Sequence, residues 1–285
     1  LRRQGERVYR EDGSVEVSMR RGVGFVLVAI LAAPPAAAQQ GNMLDAVGGS
    51  LWPRGGAADS NLGGQSGAGL LDGTLRLDFG PGFTAQGEAQ GSAYGGSDGK
   101  GGRLQLWWAN ESLGLAGVFA ETGEKNKLMQ RRVGARGELY LGSFTLRGET
   151  GYVIGDRAAT GLVRSGLFGT AAVSFYQSDD LGFSGGVGGQ NGRGVGFANV
   201  EWVPPFLPRN MALTLDGASG AGGFLIGLIG LRITFGPGAD GPLRQRQMGR
   251  MPGFPSYDPG AFGGFRRAEP PPPPPPPPPP SPPPT

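Results

Sequence analysis

The sequence contains no cysteine and no histidine. Disulfides, thiolate and imidazole metal sites, and nucleophilic chemistry built on Cys or on a Ser-His pair are therefore excluded at the outset. Excess charge of one sign is missing too. Residues 39–285 hold 20 basic and 19 acidic side chains, so nucleic acid binding has no electrostatic footprint. Beyond residue 38 nothing approaches 18 consecutive apolar residues, which argues against a helical membrane protein. Glycine is in excess, 57 of 285 residues, and so is proline, 26, of which 14 follow residue 269. That composition disfavours a helical enzyme domain.

From Met19 the sequence reads MRRGVGFVLVAILAAPPAAAQQ. Two arginines precede an apolar run, Val23–Ala33, of 11 residues. A bilayer-spanning helix needs about 20. The small residues Ala36, Ala37 and Ala38 complete the layout of a secretory signal peptide over residues 19–38, cleaved ahead of Gln39. The charged residues 1–18 would then reflect a start assigned too early, and a mature N-terminus without Cys is not that of an acylated lipoprotein.

Between about residue 68 and residue 236, stretches of roughly ten residues alternate apolar with polar or tiny side chains. Period two predicts strands. In LLDGTLRLDF, Leu71, Leu75, Leu77 and Phe79 oppose Asp72, Thr74, Arg76 and Asp78. In VGARGELYL, Val133, Ala135, Leu139 and Leu141 oppose Arg136, Glu138 and Tyr140, and after a two-residue turn Phe144 and Leu146 oppose Arg147 and Glu149. Eleven such strands lie at about 70–79, 82–94, 101–110, 113–122, 131–141, 143–154, 165–177, 181–191, 195–203, 209–217 and 222–235. Their length exceeds that of ordinary soluble strands and suits a tilted membrane strand. Short and longer connectors alternate, as periplasmic turns and external loops do in membrane barrels. An even count then requires one more strand, Met43–Trp52, followed by a Gly-rich outer loop at 53–67. The expected fold is all-β, an antiparallel transmembrane barrel of 12 strands over residues 39–236, with ten as the alternative count.

The polar faces collect Asp72, Arg76, Asp78, Glu88, Arg103, Arg136, Glu138, Arg147, Glu149, Glu201 and Arg232. Residues 68–236 carry 14 basic and 14 acidic groups, so these charges either brace the interior as cross-strand pairs or line a conducting lumen. Trp107, Trp108, Phe119, Tyr140, Phe144, Tyr152, Phe168, Phe175, Tyr176, Trp202 and Phe235 fall mostly near strand ends, where interfacial girdles lie. An enzyme needs a constellation, and none is visible. GGVGGQNGRGVG has the composition of a phosphate loop but neither its GK[ST] ending nor a following helix, and Glu138 and Glu149 have Arg136 and Arg147 beside them. No cofactor is called for.

After Phe235, residues 237–269 show no sustained period and read as a disordered linker. Pro270–Pro280 is an unbroken run of prolines, so residues 270–285 form a polyproline II tail, a spacer or a ligand for a polyproline-binding groove or the cell wall.

With its signal peptide, its amphipathic strands and its terminal strand FLIGLIGLRITF, the chain resembles the outer-membrane β-barrel proteins of Gram-negative bacteria. The resemblance implies outer-membrane lipid and the barrel-assembly machinery as partners, with Phe235 matching the terminal aromatic that this machinery reads. It further implies a periplasmic Pro-rich extension and a role as an envelope structural protein or small passive channel. The competing reading is a secreted, soluble, Gly-rich all-β surface or adhesive module, which would bury Leu75, Leu77, Leu139, Leu146 and Ile233 against a second sheet.

Overall fold

A computed structural model describes residues 47–60, 64–79, 82–125, 128–155, 165–221 and 223–251. The expected signal peptide at 19–38, the segment before it, and the polyproline tail at 270–285 lie outside the described residues. Twelve strands follow one another: β1 (Val47–Ser60), β2 (Gly64–Asp78), β3 (Phe83–Tyr94), β4 (Ser97–Asn110), β5 (Gly114–Lys125), β6 (Leu128–Leu141), β7 (Phe144–Gly155), β8 (Gly166–Ser178), β9 (Leu181–Gln190), β10 (Arg193–Trp202), β11 (Met211–Gly220) and β12 (Phe224–Phe235). Each pairs antiparallel with its sequence neighbours, and β1 pairs with β12 from Gly49 opposite Phe235 to Asp59 opposite Leu225, which closes the barrel. Closure leaves no sheet edge unpaired.

The expected faces are the observed ones, but the strand limits differ. β1 is Val47–Ser60 rather than Met43–Trp52, and the Gly-rich stretch expected as an outer loop at 53–67 is mostly ladder, because β1 runs to Ser60 and β2 starts at Gly64. Glycine is a poor strand former in isolation, yet here β2 pairs with β1 from Val47 to Ser60 and β12 pairs with it again from Arg54 to Asp59. At Gly56 a Cβ would come within 2.0 Å of the Gly227 carbonyl oxygen, so close approach across the β1–β12 seam needs a residue without one. The longer loops expected near residues 95–100 and 123–130 shrink likewise: Gly95 and Gly96, both at positive φ, make a two-residue hairpin turn, and β5 reaches Lys125. The alternation of short and long connectors therefore does not hold. The 203–210 connection, eight residues long, lies at the terminal end, where β10 finishes.

Side-chain polarity is inside out relative to a soluble barrel. Outward positions are aliphatic and open, with Leu104, Leu167 and Ile229 exposed to 72%, 75% and 67%. Inward positions bury Arg103, Arg132, Arg136, Glu138, Glu149 and Glu201. A soluble protein would cover the first set and hydrate the second; a bilayer asks for the reverse. This arrangement removes the soluble-sandwich alternative, since no second sheet lies against the apolar face.

The outward aromatics concentrate at the end where β1 starts and β12 finishes, the terminal end of the barrel. Phe83 opposes Trp108, Phe175 opposes both Phe144 and Phe183, and Phe79, Trp202, Phe206 and Phe235 complete the belt. Ring contacts knit it together, Phe144 to Phe175 across neighbouring strands at 5.0 Å and Trp202 to Phe206 in the connection after β10 at 6.2 Å between centroids. Five residues expected in such a girdle, Trp107, Phe119, Tyr140, Phe168 and Tyr176, instead occupy inward positions and are buried. Nearness to a strand end does not fix which face a ring takes; parity does.

Ile229 sits mid-strand on the outward face of β12. Ile229→Arg is expected to destabilise the barrel by about 2–4 kcal/mol, read as a lowered urea midpoint in lipid vesicles.

Candidate functional site

The barrel interior has three layers. Farthest from the termini, Leu70, Tyr94, Phe197, Phe224, Ile226 and Leu228 form a buried apolar cluster. Tyr94 and Phe224 meet at 5.9 Å, and the Lys125 ammonium lies 3.0 Å over the Tyr94 ring. These residues point inward by strand parity, so the cap is built from the same alternation that elsewhere delivers charges.

The middle layer is charged. Arg103 on β4 reaches past two strands to Glu149 on β7, with Nη1 and Nη2 donating to the two carboxylate oxygens at 2.7 and 3.0 Å, while its Nε donates to Glu121 on β5 at 2.8 Å. Arg132 donates to the other Glu121 oxygen at 3.1 Å and also to Gln190. Arg136 donates to Glu138 at 3.0 Å and stands 3.7 Å from Glu149; Arg147 lies 3.5 Å from Glu138 and hydrogen-bonds Ser174 and the Tyr176 hydroxyl. Glu88 accepts from Gln86 and Gln105 at 2.6 and 2.7 Å. Bidentate Arg–carboxylate forks of this kind fix geometry as well as charge.

A second group stitches the seam. Arg54 on β1 pairs with Asp72 on β2 and stands 4.0 Å from Asp216 on β11, which accepts from Asn199. Arg232 on β12 pairs with Glu201 on β10. Between these two guanidiniums lies the Trp52 ring, 3.7 Å from Arg54 and 3.8 Å from Arg232, with its Nε1 donating to Thr214 at 2.9 Å.

The third layer comes from the chain after β12. Residues 237–251, expected within a disordered linker, turn back into the terminal end of the barrel, with a short helix α1 (Leu243–Arg246). Missing periodicity was the ground for that expectation, but this segment is held by backbone groups and long polar side chains that need no period. The Leu243 N–H donates to the Asp179 carbonyl at 2.9 Å, and Leu243 packs with Tyr176, Val203 and Ala212. Gln247 donates to Glu201 and accepts from Tyr176, each at 2.9 Å. Gly249 donates to Glu138 at 3.2 Å, and its carbonyl accepts from Arg136 at 2.7 Å and Gln105 at 3.1 Å. Arg250 donates to Ser50 at 2.6 Å and Thr74 at 3.1 Å. One short segment thus bridges strands from β1 to β10 across the opening.

The eleven charged residues singled out in the sequence all share the inward register. Eight of them are buried, and Arg76, Asp78 and Glu88 are half-buried nearer the terminal end. Arg76 pairs with Asp78 at 3.2 Å on one strand. Sequence reasoning passed over Arg54, Glu121, Arg132 and Asp216. Parity would have found Glu121, Arg132 and Asp216, whereas Arg54 lay in a stretch taken for loop. The interior leaves little room. Arg132, Thr145 and Ser174 have no accessible surface, and Glu138 and Glu201 have 2% and 1%. A water-wide path through this layer would leave its walls accessible.

No protein-family model matches the chain, and no curated protein is similar to it in sequence. Solved structures do match. The KdgM porin in complex with disordered oligogalacturonate superposes with a TM-score of 0.50 at 12% identity, over 65% of this chain and 99% of that one. The translocator domain of the autotransporter NalP from Neisseria meningitidis gives 0.45 at 12% identity over 75% and 96%, and the Acinetobacter baumannii outer membrane protein Omp33 gives 0.44 at 10% over 66% and 97%. At such identity the KdgM likeness is one of fold alone. It agrees with the inside-out polarity: this is a closed 12-strand antiparallel barrel whose fold resembles that of an outer-membrane porin.

Two outcomes test the interior. Glu149→Gln strips a carboxylate from Arg103 and Arg136 and is expected to cost about 3–5 kcal/mol, against little change for Lys100→Gln, whose pair with Glu124 is exposed; urea unfolding of the two variants separates these. Gly249 has φ +75°, and a Cβ there would lie 2.6 Å from the Trp107 ring. Gly249→Val should therefore unseat the segment, so that trypsin cuts at Arg246 and Arg250, bonds it spares in the parent protein.

Proposed function

We propose that this chain is an integral outer-membrane barrel of a Gram-negative envelope whose lumen is shut at rest, a structural barrel in which passive conduction requires the C-terminal segment to leave. The observation that carries the reading is the set of hydrogen bonds from Gln247, Gly249 and Arg250 to opposite walls of the barrel. An open porin keeps a hydrated constriction; here the opening at the terminal end is spanned by protein, and the layer behind it is made of mutually neutralised charges.

In this reading residues 19–38 export the chain and are removed, and Phe235 at the end of β12 is the aromatic that the barrel-assembly machinery takes up. Both termini share one end of the barrel because the strand number is even, and that end faces the periplasm. The aromatic belt at the same end marks a membrane interface there, since aromatic rings favour the lipid headgroup level. The Pro-rich residues 270–285 then extend into the periplasm, toward the cell wall or a polyproline-binding partner. The role is non-catalytic.

The test combines fractionation with conductance. The processed protein should be recovered with the outer membrane and show a heat-dependent gel shift. In planar bilayers the parent chain should give no steady current. Soluble recovery would overturn the membrane reading, and a steady open current from the parent chain would overturn the closed lumen.

A further inference from the structure

Where the C-terminal segment meets the wall, the structure encloses a cavity of about 170 Å³. Its charged lining is of one sign: Arg76 from β2, with Arg246 and Arg250 from the segment. Thr74, Gln86 and Gln245 add polar groups, and no Asp or Glu lines it. Arg76 keeps Asp78 at 3.2 Å, but Arg246 and Arg250 depart from the rule of the interior, having no carboxylate within 4.0 Å among the described residues. Arg54, Arg103, Arg132, Arg136, Arg147 and Arg232 each have a carboxylate within 4.0 Å. Arg250 has only the two hydroxyls of Ser50 and Thr74. Arg246 donates to the Arg209 carbonyl, and its Nε, like the Nε of Arg76, is buried and donates to nothing.

Three guanidinium groups gathered around a space whose nearest direct counter-charge is Asp78, on Arg76 alone, repel one another and lose solvation unless an anion joins them. Burial first, then the nearby Arg232 charge, pulls the Arg250 pKa down to about 9, so the group is still charged at neutral pH. Burial lowers that of Arg246 as well. Guanidinium forks suit tetrahedral oxyanions, whose oxygens accept from several N–H groups at once.

We propose that this cavity binds a small tetrahedral oxyanion of the phosphate or sulfate class, and that the bound anion clamps the C-terminal segment to the barrel wall. The inference rests on the seated segment and not on the conductance reading. Two of the three cations belong to the segment and one to β2, so an anion between them ties the two together. Seating and binding are then coupled, each favouring the other.

The experiment is calorimetric titration of inorganic phosphate into the full chain folded in a neutral detergent, with folding verified by the heat-dependent gel shift. The expected result is one saturable site, weakened at least tenfold by Arg250→Gln and unchanged by Lys100→Gln at the far end. Phosphate should also raise the urea concentration at which trypsin begins to cut the parent chain at Arg246. If Arg250→Gln fails to fold, Arg76→Gln, which leaves the segment intact, must weaken binding instead. Absence of saturable binding in the parent chain, or equal binding in folded Arg250→Gln and Arg76→Gln, would overturn the proposal. Addition of phosphatidylglycerol to the micelles separates two sources of the same chemistry: displacement of phosphate assigns the pocket to a lipid headgroup, and undisplaced binding to a free anion.

Discussion

A ring of twelve strands in a bilayer must satisfy its backbone within the sheet, and in this barrel the long side chains that point inward leave the middle layer too tightly filled for bulk water. Every inward charge must therefore find its opposite within the protein. That constraint organises this molecule. It explains why Arg103 reaches past two strands to Glu149, why Glu121 is shared by Arg103 and Arg132, and why Glu138 serves Arg136, Arg147 and the backbone of Gly249 together. Neutralising pairs drawn from different strands brace the ring across its width, which the ladder hydrogen bonds along its wall cannot do.

The period-two alternation made the strand type, eleven of the twelve strands and the two faces legible, because in a membrane barrel both faces are under strong and opposite selection for polarity; the twelfth came from a connector pattern that the structure does not keep. Strand limits were less so. Arg54 and the glycines around it read as loop, since glycine carries no face, and only the partner strands β2 and β12 show that this stretch is ladder. Rings deceived in another way: Phe119 and Phe168 look like girdle residues until parity places them inside, where they meet at 6.0 Å beneath the guanidiniums of Arg103 and Arg132. Residues 237–251 were least legible. Their contacts depend on where Glu138, Glu201 and Ser50 stand in three dimensions, and no local pattern encodes that.

The C-terminal segment changes the character of the interior. Without it, Gln105, Glu138 and Glu201 would face an opening; with it, each gains a partner from outside the sheet. The segment brings arginines of its own, and not all of these find carboxylates. The pairing rule that governs the middle layer is relaxed at the terminal end alone, where the chain continues toward its Pro-rich extension.

The Trp52 ring, held between Arg54 on the first strand and Arg232 on the last, sits at the one junction of the ring whose partners are farthest apart in sequence. Every other strand pair can zip from a nearby turn, but this one closes a loop of nearly the whole barrel and is entropically the most expensive to form. A cation–indole–cation stack placed there acts as a clasp, and it makes the indole a natural optical reporter of that event. Its emission should change when the circle shuts, and so distinguish a curled open sheet from a completed barrel.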